Sequence, residues 1–192
     1  MIEVEMKFAT PRHNETRTQI ASLGAELRDI ADEEDCYLDS SDGRLMKMDE
    51  ALRVRQKGES NFITYKGPKL DGSTKTRAEI EVQLAHGESV YEDARALLSA
   101  IGYQERARIK KKRERHSAQS GEFTVEVSLD LVDDLGCYVE LEILADPENL
   151  PKAREALLDL ARKLQLVDSE WRSYLEIWRD RRHGFADPEH PA

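Results

Sequence analysis

The chain has 192 residues, a formal net charge of -10 at pH 7, 35% charged side chains and a mean hydropathy of -0.68. That length is one domain-sized unit able to bury a core, and the acidic balance disfavours general binding to nucleic acid or to an anionic membrane. No apolar run is long enough to span a bilayer, the N-terminus lacks the apolar stretch of a signal peptide, and Cys36 and Cys137 are too few for a disulfide scaffold and suit no zinc site, so a reduced, cytoplasmic protein is expected.

The first eight residues alternate: Ile2, Val4, Met6 and Phe8 share one face, Glu3, Glu5 and Lys7 the other, the period of a strand. Thr10-Pro11 offers a cap and a first-turn proline, which predicts a helix to about Leu23 stopped by Gly24. A second strand is predicted near Asp35 to Asp39, a turn over Ser40 to Gly43, and a hairpin with strands at 50–57 and 60–66 around Gly58-Glu59. Gly67 to Lys75, with Pro68 and Gly72 inside it, reads as a loop, and 76–83 as a strand. A helix from about Ser89 aligns Ala94, Leu97, Leu98 and Ile101 and stops at Gly102. Strands follow near 103–115, 122–130 and 137–144, with Asp133-Asp134 in a turn. A helix after Pro151 carries Ala153, Ala156, Leu157, Leu160 and Leu164 on one side. A short helix near Trp171 to Trp178 would pack Trp171, Tyr174 and Trp178 against the strands. The expectation is a single domain over 1–178 and a flexible tail over 179–192. The two halves share a plan of strand, helix, glycine and strands.

The strands split charge from grease, and they do so repeatedly. Leu52 and Val54 oppose Arg53 and Arg55; Ile63 and Tyr65 oppose Thr64 and Lys66; Ile80 and Val82 oppose Arg77, Glu79 and Glu81. Val125, Val127 and Leu129 oppose Glu126, Ser128 and Asp130, and Val139, Leu141 and Ile143 oppose Glu140 and Glu142. Two arrangements fit this pattern equally well: solvated outer faces, or a wet lumen. The second is carried forward as an α+β fold, an eight-stranded antiparallel closed β-barrel, or tunnel, with helices packed on the outside. Inside it would meet a basic set (Lys7, Arg53, Arg55, Lys66, Arg77, Lys111, Arg113) and an acidic set (Glu3, Glu5, Glu79, Glu81, Asp130, Glu140, Glu142). Such bases suit a polyanion with several phosphates, and a hard divalent cation reconciles carboxylates with phosphate oxygens. Every proposed ligand is oxygen, so Mg²⁺ or Mn²⁺ fits.

These residues resemble a known family. Glu3-x-Glu5-x-Lys7 is similar to the signature of the CYTH superfamily, the triphosphate tunnel metalloenzymes, and the resemblance runs from about Met1 to Trp178. Asp35-Cys36-Tyr37-Leu38-Asp39, Leu52-Arg53-Val54-Arg55, Tyr65-Lys66-Gly67-Pro68, Arg77-x-Glu79-x-Glu81, Lys111-x-Arg113, Ser128-Leu129-Asp130 and Ser173-Tyr174-Leu175 resemble further family strands and motifs in order. Leu135-Gly136 before Tyr138-Val139-Glu140-Leu141-Glu142 is most similar to the class IV adenylate cyclase branch. The resemblance implies a metal-dependent enzyme that cyclises ATP to cyclic AMP and pyrophosphate, or a triphosphatase acting on inorganic triphosphate, thiamine triphosphate or nucleoside triphosphates. It implies Glu3, Glu5 and Glu142 as metal ligands, with Glu140 and Asp130 as additional ligands or as acceptors behind them. It implies Lys7, Arg53, Arg55, Lys66, Lys111 and Arg113 as phosphate contacts, with Arg77 shaping the wall. Glu3, Glu5, Lys7 and Asp130 are the expected catalytic set.

Blander readings stand beside these. Arg53 and Arg55 alone would suit surface cross-strand pairs. Lys110-Lys111-Lys112-Arg113 alone would suit a nucleic-acid patch, which the acidic total disfavours, and Lys110 and Lys112 are expected to face solvent. Ile109 shares the parity of Lys111 and Arg113, so this strand splits less cleanly. Two other classes stay open: a polyphosphate- or nucleotide-binding module without turnover, and a strand scaffold or RNA-binding module with solvated charges. The sequence leaves a homodimer open.

Overall fold

Period-two alternation builds eight strands, and the computed structural model describes them within residues 2–69 and 76–183. In chain order these are β1 (Ile2–Ala9), β2 (Glu26–Ser40), β3 (Ala51–Lys57), β4 (Ser60–Lys66), β5 (Glu79–Gln83), β6 (Tyr103–Ser120), β7 (Phe123–Val132) and β8 (Gly136–Ala145). The helices are α1 (His13–Ser22), α2 (Arg44–Lys47), α3 (Glu88–Ala100), α4 (Leu150–Lys163) and α5 (Tyr174–His183). The expected loop at 67–75 lies outside the described residues from 70 to 75, and the expected tail does so from 184 onward. The last helix runs to His183, past the predicted end at Trp178.

All strands pair antiparallel in one curled sheet, in the order β1-β8-β7-β6-β2-β3-β4-β5. Two meanders, β2–β3–β4–β5 and β6–β7–β8–β1, meet along the long β2–β6 pairing. Each meander follows a helix stopped by a glycine at positive φ, Gly24 at +77° after α1 and Gly102 at +101° after α3, so the shared plan of the two halves is visible in the pairing.

The closed barrel is not formed; the sheet is a half-barrel. Among the described residues its two edges, β1 and β5, do not pair; Glu3 of β1 bridges Arg77, two residues before β5. Farther along β1 the edge is already taken, because the Glu170 N–H donates to the Lys7 carbonyl at 2.6 Å and Ser169 bridges Phe8. Only five residues of β5 remain to face that gap, and its outward Ile80 and Val82 stay exposed.

Helices cover much of the apolar outside. Ile20 of α1, Ala153, Leu157 and Leu160 of α4, and Leu164 just after α4 pack on Val4, Met6 and Phe8 and on the apolar rows of β7 and β8. Tyr91 and Ala94 of α3 pack on Cys36, Leu38 and Val54. The helix α1 starts at His13, later than Thr10-Pro11 suggests, with the Thr10 hydroxyl accepting the Arg12 N–H at 3.2 Å. No described helix is long and apolar enough to cross a membrane. The third packing group explains Ile109: it points inward with Tyr37, Val132, Leu135 and Tyr138, and α5 seals them with Tyr174 and Ile177. One end of the hollow is therefore an apolar plug.

Candidate active site

The curl of the sheet turns its charged face into a cavity of about 680 Å³. Of the residues singled out above, Glu3, Glu5, Arg53, Arg55, Lys66, Arg77, Glu79, Glu81, Lys111, Arg113, Glu140 and Glu142 line it. Lys7 and Asp130 are not in the lining. Lys7 is 1% exposed, hydrogen-bonds the Arg172 carbonyl, and lies 4.1 Å from the centre of the Tyr174 ring. Asp130 is fully enclosed and holds Arg113 through both oxygens, with the Tyr174 hydroxyl donating at 2.7 Å. Both belong to the plugged end of the hollow, which the inward parity of Lys7 and Asp130 could not reveal.

The walls differ in sign. On β3, β4 and β6, Arg53, Arg55, Lys66, Lys111, Arg113 and Arg115 project inward, each with a carboxylate beside it. Asp35 takes Arg55 in a fork at 2.6 and 2.7 Å. Burial opposes its ionisation, but Arg55 and Arg53 outweigh that and hold its carboxyl well below the usual range. Lys66 reaches Glu3 at 2.9 Å and Glu79 at 2.7 Å. Burial works against its charge, yet these acids keep its ammonium above the ordinary lysine range. Arg113 ties Asp130 to Glu140.

On β1, β8 and β7 the acids face each other. Glu5 sits directly opposite Glu142, and Glu142 directly opposite Glu126. Like charges in that register repel. Burial pushes the Glu142 carboxyl well above its usual range, and Glu3, Glu126 and Glu5 add to the push against the pull of Lys66. Burial also raises Glu3, Lys66 pulling it down and Glu79 adding to the rise. Among the described residues no three acidic, histidine or cysteine side chains converge as a ready-made cage for an ion. The donors of this wall are all carboxylate oxygens, the chemistry of a hard divalent cation that keeps positions open for other oxygens.

Four inward residues escaped the sequence reading as site candidates: Glu33, Asp35, Arg115 and Glu126. Glu33 and Asp35 are buried beside Arg55, and Arg115 and Glu126 line the cavity. Parity with Asp35, Arg113 and Asp130 was the available signal. Glu33 lay outside the predicted strand because β2 begins nine residues earlier than Asp35.

Residues 1–174 match the model of the CYTH domain family. A protein of Methanocaldococcus jannaschii, named as a candidate adenylate cyclase, is 33% identical over 180 residues, covering 92% of this chain and 98% of that protein. A solved structure from Pyrococcus horikoshii is similar with a TM-score of 0.81 at 33% identity, covering 93% of this chain and 99% of its own. A candidate adenylate cyclase from Vibrio parahaemolyticus has a TM-score of 0.78 at 25% identity, covering 93% of this chain and 98% of its own.

Proposed function

Because the chain belongs to the CYTH domain family, we propose that it is a divalent-metal-dependent enzyme acting on a triphosphate, converting ATP to cyclic AMP and pyrophosphate in the cytosol. The observation that carries this is the sorting of charge within one cavity: a basic wall on β3, β4 and β6 against an acidic wall on β1, β8 and β7. Bases alone would serve a polyanion. The acids are numerous enough to repel one, unless a cation enters with it.

Arg53, Arg55, Lys66, Lys111 and Arg113 receive the phosphate oxygens, the guanidinium forks fixing orientation. Arg77, bridged to Glu3 at the seam between the sheet edges, closes the wall beside them. Glu5 and Glu142 are the seat for Mg²⁺ or Mn²⁺, with Glu3 and Glu140 flanking it. Two carboxylates completed by phosphate oxygens are a usual Mg²⁺ arrangement, which needs no three-carboxylate cage. Such an ion, when bound, draws charge off the phosphoryl group and its leaving oxygens. Lys7 and Asp130 act from behind, holding Tyr174 and Arg113 at the plugged end. The 33% identical relative named as a candidate adenylate cyclase supports attack by the ribose 3′-hydroxyl.

Hydrolysis is the second reading, and one observation favours it. Glu81 and Glu126 are each 42% exposed in their side chains, so water reaches the lumen wall. Product analysis separates the two. With Mg²⁺ or Mn²⁺, the protein is expected to release cyclic AMP and pyrophosphate from ATP, and EDTA to abolish this. Orthophosphate from ATP, inorganic triphosphate or thiamine triphosphate would mark a triphosphatase instead. Binding with no product from any of them would leave a non-catalytic module and contradict the proposal.

A further inference from the structure

Glu33 has no role in the reading above, yet the fold encloses it inside the basic wall. Its side chain is 1% exposed, and neither carboxylate oxygen accepts a hydrogen bond among the described residues. A buried carboxylate in that condition is costly, so a charge must hold it there. β2 runs between β3 and β6, and the register sets Glu33 beside Lys57 on one side and Lys111 on the other. Its Oε2 lies 3.3 Å from Arg55 Nη1 and 3.4 Å from Lys111 Nζ.

Lys111 sits among both cations and acids. Its side chain is 2% exposed, and Arg113 on its own strand and Arg55 on β3 both repel it. The Tyr174 ring of α5 lies 5.2 Å away and supplies no full charge. Two other acids face Lys111, and both are occupied. Asp35 of β2, at 3.9 Å, gives both oxygens to Arg55; Asp130 of β7, at 4.0 Å, gives its oxygens to Arg113 and Tyr174. Glu33 is the nearest of the three acids and the one with acceptor capacity to spare. Burial, then Arg113 and Arg55, push the Lys111 ammonium below the ordinary lysine range, while the charges of Asp130 and Asp35 pull it up. Burial disfavours a charged Glu33 as well, but Arg55, Lys111 and Arg113 outweigh it and keep the carboxyl ionised.

We propose that Glu33 is a positioning residue that keeps Lys111 charged beside Arg55, ready for the phosphates of the substrate. The phosphates rest on the triphosphate reading above; the Glu33–Lys111 contact does not, and it is measurable in the free protein. Glu33→Gln preserves shape and removes the charge. In a pH titration followed by the carbon-13 resonance of the Lys111 ε-methylene, its midpoint is expected to fall by about one unit. An unchanged midpoint would overturn the proposal.

The same variant gives a distinctive binding signature with inorganic triphosphate and Mg²⁺. Below neutrality it binds at least as tightly as wild type, having lost one negative charge. At the alkaline end, where Lys111 has lost its proton, it binds about tenfold more weakly, so the two curves cross. Adding Lys111→Arg removes the crossing, because a guanidinium keeps its charge. Glu33→Asp keeps the wild-type alkaline limb. A uniform loss at every pH, or an Asp variant that shifts as far as Gln, would reduce Glu33 to a packing role and overturn the proposal. Wild-type protein that fails to bind triphosphate at any pH would defeat the parent reading, while the Lys111 titration would still decide the contact.

Discussion

Glu142→Gln is expected to lower metal-dependent turnover by on the order of 10²-fold or more, and to leave the metal-free protein at least as stable as wild type. The two halves of that result come from one geometry. Glu142 stands between Glu5 and Glu126 on adjacent strands, in direct register with both. A carboxylate there repels its neighbours until a cation arrives, so a neutral amide relieves the row while weakening the proposed seat. Stability given up in this way is characteristic of functional sites. Initial rates across a range of Mg²⁺ concentrations, beside thermal midpoints measured in EDTA, check both halves. Unchanged turnover would remove Glu142 from the site, and a stability loss matching the activity loss would make its role structural.

Arg113→Met is expected to have the largest effect on stability, a loss of about 3–5 kcal/mol. Arg113 is buried where β6 meets β7 and neutralises Asp130 and Glu140 together. Removing it takes the close guanidinium from two enclosed carboxylates, one of them 0% exposed, and the Lys111 ammonium, 4.0 Å from Asp130, is too distant to replace its fork. The Tyr174 hydroxyl still donates to Asp130, but a neutral donor cannot replace a cation in that setting. The exposed pair Lys152–Glu122, at 3.2 Å with both side chains 64% exposed, is the control. Water and salt screen it, so Lys152→Met should stay within about 0.5 kcal/mol of wild type. Urea unfolding extrapolated to water measures both. Similar losses for the two variants would contradict the buried triad.

The sequence exposes most of the sheet because period-two alternation is a local signal, and β1, β3, β4, β7 and β8 carry it cleanly. β2 hides its first nine residues for two reasons. Its N-terminal stretch exposes Leu27 and Ile30, and a register shift between Leu27 and Asp29 breaks the alternation. The end of β6 past Arg115 is built from small and polar residues, Ser117, Ala118 and Ser120 among them, which carry little period. Alternation also reports which face a residue occupies and nothing of depth. Lys7 shares a face with Glu3 and Glu5 but lies at the plugged end, because α5 returns from far along the chain to set Tyr174 over it. Failure of the barrel to close is of the same kind: it depends on Ser169 and Glu170 taking the edge of β1, a long-range choice that no strand announces. Trp171 belongs to no packed stripe; it precedes α5 and is 60% exposed.

Calorimetric titration of the protein with inorganic triphosphate, in Mg²⁺ and again in EDTA, tests the core of this account most directly. The acidic row Glu5–Glu142–Glu126, with Glu3 and Glu140 beside it, should make the cavity reject a bare polyanion and accept one that arrives with a divalent cation. The account predicts tight binding with Mg²⁺ and affinity weaker by on the order of 10²-fold or more without it. Equal affinity in EDTA would contradict it, because the bases would then suffice and the acidic wall would have no part in holding the substrate.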